Sequence, residues 1–135
     1  MQTYLKLFCL AFPILIALDA SWIGVIASGY YHDSLGPILL EHPNFLAALV
    51  FYVIYTCGLI FFALAPALKE RSLGKAVVWA GVLGLVAYAT CDLTNLAAIQ
   101  GWPLPIAVLD MAWGVIISSV TAGVTYVVAT QVFKV

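Results

Sequence analysis

Charge is what this sequence has least of. Only 8% of its 135 residues are charged, five Lys or Arg and six Asp or Glu, where a soluble domain carries about a quarter. So few charged side chains cannot cover a water-soluble protein of this size, and a net charge of −1 offers no basic patch for phosphates, which excludes nucleic acid as a partner. Cysteine is scarce too. Cys9, Cys57 and Cys91 form no C-x-x-C pair and lie inside apolar runs, which excludes a secreted disulfide scaffold and a thiol-exchange enzyme and leaves packing as their role. Ser-His-Asp order, H-E-x-x-H and a Gly-rich nucleotide loop are all missing, so neither a hydrolytic triad nor a kinase is expected. His32 and His42 beside Asp33 and Glu41 are too scattered for a metal set, and no metal or cofactor is expected.

What is present is apolar: 65% of residues are hydrophobic and the mean hydropathy is +1.13. A spanning helix needs about 20 mostly apolar residues, and four stretches qualify: 5–28, 45–68, 75–99 and 104–133. Gly29–Asn44, the charged Lys69–Gly74 and the Gln100-Gly-Trp-Pro-Leu-Pro105 turn separate them. The runs are too long for barrel strands of about 10 residues and do not alternate. The expected fold is all-α: residues 1–135 as one domain, a polytopic membrane protein with four transmembrane helices in an up-down-up-down bundle.

Lys6, Lys69, Arg71, Lys75 and Lys134 fall at the N-terminus, in the second loop and at the C-terminus, and the first and third loops have none. The positive-inside rule therefore puts both termini in the cytoplasm. Lys6 ahead of an apolar run, with Val25-Ile-Ala27 after it, faintly resembles a signal peptide, but Asp19 interrupts the run, and the segment is expected to stay as a span.

Asp33, Glu41 and Glu70 lie in loops; Asp19, Asp92 and Asp110 lie inside spans. Each such Asp costs about 2.5–3.5 kcal/mol on the insertion scale, on the order of 10 together, and intramembrane acids face a bundle interior or a wet cavity. At 1.5 Å per residue they sit about 14, 10 and 9 Å below the outer ends of their spans, a shared depth that predicts convergence in one outer-half cavity. Charged together in a small apolar space they would repel strongly, so a shared proton or a bound cation is expected.

Asp19-x-x-Trp22, Asp92-x-x-Asn95 and Asp110-x-x-Trp113 each place an N–H donor on the same helix face as its acid, the expected means of holding the carboxylate. Tyr52 and Tyr55 in the second span, and Tyr88 one turn below Asp92, are further candidates to line the cavity, with packing the alternative. Tyr30, Tyr31 and Trp102 read as an interfacial aromatic belt. Ser34–Glu41 suits a short interfacial helix across the outer mouth. Pro13 and Pro66 are candidate kinks. Ala80/Gly84/Tyr88 and Gly114/Ser118/Ala122 form small-residue ridges for close helix approach, with apolar faces left over that suit a homodimer.

The motifs LDASWIGVIASGYY, FYVIYTCGLIFFALAPAL, CDLTNLA, GWP and LDMAWG, in that order, resemble one bacterial family across essentially the whole chain. This is the small four-span membrane family catalogued as domain of unknown function 2177. The resemblance implies a bacterial inner-membrane setting and supplies no catalytic residues. Three functional readings stand open. One is binding or transport of a cation or cationic small molecule at the carboxylates. Another is a membrane enzyme using paired carboxylates, Asp92 and Asp110, for acid/base chemistry on a lipid or isoprenoid. The last is a structural or accessory subunit whose acids fix helix register. A cavity open to the bilayer favours the first two, and a dry, fully paired triad the third.

Overall fold

A computed structural model describes residues 2–134; Met1 and Val135, which the single-domain reading takes in, lie outside it. The described chain is all helix, with no strand, and four helices are long and apolar enough to cross a membrane: Gln2–Ile26, Phe45–Lys69, Leu73–Ala98 and Leu104–Gln131. Each end lies within three residues of the apolar run that predicts it. Hydropathy sets these lengths, because a helix in lipid satisfies its own backbone polar groups and needs no partner strand.

The first span is α1 (Gln2–Ser21) followed by a π turn, Trp22–Ile26. Pro13 sits inside α1 without ending it. A separate helix, α2 (Ser28–Leu35), and a 3-10 turn (Gly36–Ile38) follow. The expected interfacial helix at Ser34–Glu41 is thus displaced toward the N-terminus. Ala27, Tyr31 and Leu35 recur every four residues, and Ala27 and Leu35 are buried, so this face docks, whereas Ile38, Leu39 and Leu40 of Ser34–Glu41 are exposed.

The second span is α3 (Phe45–Leu59), a π turn (Ile60–Leu64) and α4 (Ala65–Lys69). Asn44 caps α3 by accepting the Ala47 N–H at 3.0 Å. The π turn ends two residues before Pro66, whose missing N–H removes one bond of the regular pattern. Ser72 caps α5 (Leu73–Ala98) at the Lys75 N–H. Gly101, at φ +82, makes the turn into α6 (Leu104–Gln131), a conformation glycine alone takes without penalty.

α5 and α6 are the most closely paired helices, and the small-residue ridges explain why. They face each other: a side chain on Gly84 would strike the Gly114 carbonyl, one on Gly81 would come within 2.7 Å of Ser119 Oγ, and Tyr88 lies against Gly114. The ridges are taken up within the chain, so a homodimer would have to use another face. α1 packs on α3 and α6, and the second span meets α5 mainly through its π turn and α4. Lys6 Nζ stands 6.0 Å from the Phe133 ring, so the first and last turns of the chain are adjacent. We call this the terminal end and the opposite one the α2 end.

The apolar core lies toward the terminal end. Leu7, Ala11 and Leu15 of α1 meet Leu59, Ala63, Leu64 and Ala67 of the second span and Ala76, Ala80, Ile117, Ala122 and Ala129 of α5 and α6. The burial stripe of α1 then runs on, at the same spacing of four, into Asp19.

Candidate functional site

Toward the α2 end the helices part around a cavity of about 650 Å³. All four spans and α2 contribute to its wall, which is mostly apolar and aromatic and includes no Lys or Arg among the described residues. Asp19, Asp92 and Asp110 line it together. Asp19 and Asp92 are buried, at 4% and 3% exposure, and Asp110 is half-buried.

Each carboxylate is held differently, and none by the donor three residues along its own helix. Asp19 accepts two hydrogen bonds from other spans, from Tyr52 Oη at 2.6 Å and Trp113 Nε1 at 3.0 Å. Asp110 accepts from Tyr31 Oη, delivered by α2. Trp22 donates its indole N–H to Tyr31 Oη at 3.3 Å. The Asn95 amide turns to Cys91 Sγ at 3.7 Å, leaving Asp92 with no hydrogen-bonded donor; the buried Trp102 indole N–H lies near it outside bonding geometry. The same-helix pairing is therefore corrected. Cβ vectors three residues apart share a face, but both side chains then point along it toward the neighbouring helix, and Asp19 and Asp110 find their donors on other elements.

Trp22 and Trp113, read from sequence as donors to their own acids, instead stack with ring centroids 4.4 Å apart and planes within 9°. This stack ties α1 to α6 while Trp113 bonds Asp19. The π turn beginning at Trp22 adds a residue to the helical turn and swings the following chain over the cavity, toward α2.

Eight of the nine sequence-chosen residues line the cavity: Asp19, Trp22, Tyr52, Tyr88, Asp92, Asn95, Asp110 and Trp113. Tyr55 does not. It is buried below, its hydroxyl 2.6 Å from Ser118 Oγ and its ring edge-on to Tyr88. Tyr31 and Trp102, assigned to a surface belt, are cavity residues instead. For Tyr31 the Ala27/Tyr31/Leu35 spacing was an available signal. For Trp102 there was none, since only the Gly101 turn aims it inward. His32, Ile23, Leu39 and Phe51 complete much of the rim. Among the described residues no three His, Cys, Asp or Glu side chains are grouped to hold a metal ion.

Phe51 of α3 and Cys91 of α5 both line the cavity and are exposed. Each sits about 9–10 Å inside the α2 end of its helix, at hydrocarbon rather than loop depth.

The model of a family described as "Predicted membrane protein (DUF2177)" matches residues 4–127. No curated protein and no solved structure matches the chain. The chain belongs to this family of predicted membrane proteins.

Proposed function

We propose that the protein binds an amphipathic organic cation in this cavity and passes it across or within the bacterial inner membrane. The observation that carries the reading is the chemistry of the wall: three carboxylates and a set of aromatic faces, with no Lys or Arg among the described residues, around about 650 Å³. Carboxylates and ring faces together attract a desolvated organic cation, by charge and by cation–π contact. Asp19 and Asp110 are held by protein donors, so Asp92 is the acid free to meet a ligand. Phe51 and Cys91, which line the cavity and are exposed at hydrocarbon depth, favour a ligand that arrives dissolved in lipid. The basic residues support an orientation with both termini in the cytoplasm and the cavity toward the opposite surface.

Purified protein in phospholipid nanodiscs should bind tetraphenylphosphonium saturably, and Asp92→Asn should weaken that binding about tenfold, the loss of one charge-assisted contact. Absence of saturable binding by the wild-type protein, or binding indifferent to Asp92→Asn, would overturn the reading. The unequal settings of Asp92 and Asp110 also suit divided acid and base roles, the enzymatic alternative. Turnover of a membrane lipid extract to a product that Asp92→Asn abolishes would replace binding with catalysis.

A further inference from the structure

Serine and threonine hydroxyls on these helices divide by position. Ser21, Thr90, Thr94 and Thr130, exposed or half-buried, each return the hydroxyl proton to the carbonyl four residues earlier. This back-bond is the default for a hydroxyl on a helix in an apolar setting, because it needs no second element. Thr56, Thr121 and Thr125 have 0% exposure and do not make it, and their hydroxyls have no partner among the described residues. Of the four Ser and Thr hydroxyls at 0% exposure, only that of Ser118 has a partner, and the three threonines are left open. Buried polar groups are nearly always satisfied, by protein or by ordered water.

Their placement links them to the carboxylates. Asp110, Gly114, Ser118, Thr121 and Thr125 recur on α6 at intervals of four, four, three and four residues, which is a single helix face. From Asp110 to Thr125 that face covers about 22 Å of a hydrocarbon core about 30 Å thick. Ser118 is bonded to Tyr55, one turn along α3 from Tyr52, which is bonded to Asp19. Thr56 follows Tyr55 directly. A stripe of hydroxyls therefore leads from the carboxylate cavity into the otherwise apolar terminal half.

We infer that Ser118, Thr121 and Thr125, with Thr56, hold a file of water molecules that carries protons between the cavity carboxylates and the terminal end. This rests on the proposed function only in taking the carboxylates as exchangeable groups. Each water accepts a proton on a lone pair and releases another onward. The carboxylate gains one proton and becomes the neutral acid, and the waters are left unchanged. A hard metal cation would need about six oxygens at once, whereas a stripe of single hydroxyls a turn apart suits a file of waters.

The test uses the full chain in phosphatidylethanolamine/phosphatidylglycerol vesicles loaded with a pH-sensitive dye. Proton entry is driven by a valinomycin-clamped potassium potential, with and without tetraphenylphosphonium. Wild-type protein should admit protons well above protein-free vesicles in at least one condition. Thr121→Val/Thr125→Val, which keeps side-chain volume, should lower that flux at least tenfold. Thr121→Ser/Thr125→Ser should retain it. Both variants should bind tetraphenylphosphonium within twofold of wild type, which certifies their folding. Wild-type flux no greater than that of empty vesicles in both conditions would overturn the inference, as would a valine pair that conducts like wild type. Flux preserved in a protein that does not bind tetraphenylphosphonium would instead overturn the ligand reading and leave this one standing.

Discussion

In the half of the molecule that holds the termini, the spans close on Leu7, Leu15, Leu59, Leu64 and Ile117, none more than 2% exposed. In the α2 half the same helices part, and the buried side chains between them include Asp19 and Asp92. The contrast shows how a small membrane protein can carry intramembrane acids. Lipid tails are as apolar as leucine, so helices in a bilayer are held by close packing rather than by escape from water. The terminal half supplies that packing, with alanines and glycines bringing helix backbones together. The α2 half can then leave a cavity, because its helices are already positioned from below and pinned by a few cross-span hydrogen bonds.

If this division is correct, truncating Leu59 should be the most damaging change. Leu59→Ala opens a void in the packed half and should cost about 3 kcal/mol, while Phe51→Ala, on the same helix but at the cavity rim, should stay within about 0.5 kcal/mol. Thermal unfolding in mild detergent compares the two directly; equal losses would erase the distinction between the halves. Next comes the α5–α6 seam. A methyl group at Gly84 meets the Gly114 backbone and Ser118 Oγ, so Gly84→Ala should cost about 2 kcal/mol through overpacking. A neutral result would mean that the seam is looser than its ridges imply.

Within the α2 half the acids should differ among themselves. Asp19→Leu strands the Tyr52 hydroxyl and the Trp113 N–H and should cost about 1–2 kcal/mol, with Asp19→Asn costing less because the amide oxygen still accepts one bond. If leucine and asparagine behave alike at this position, the carboxylate is not what joins the spans. The smallest effect on stability belongs to Asp92→Asn. With no hydrogen-bonded donor to lose, it should shift unfolding by less than about 0.5 kcal/mol even as it weakens tetraphenylphosphonium binding. A large stability loss there would move Asp92 from ligand binding to architecture.

Orientation can be checked apart from these. C-terminal fusions should be active with a reporter that works only in the cytoplasm and silent with one that needs export; the reverse would invert the proposed topology and with it the side the cavity faces.

Length and hydropathy were enough to read four helices and their ends to within three residues, because backbone satisfaction in lipid is a property of each segment alone. That the three acids line one cavity was also legible, since helical rise converts sequence position into depth. So were the ridges at Gly84 and Gly114, although that they meet each other depended on which faces the connecting turns present. What the sequence could not state was who holds whom. Asp19 is bound by Tyr52 and Trp113, 33 and 94 residues away, and Asp110 by Tyr31, 79 residues away. The nearest donor in sequence was in each case the wrong one. Periodicity reports a face, and a face says nothing about its neighbour. The partner of a buried carboxylate is decided by helix adjacency, by the π turn at Trp22 that sends α2 back over the cavity and by the glycine turn that aims Trp102 inward, and these come into being only when the spans pack.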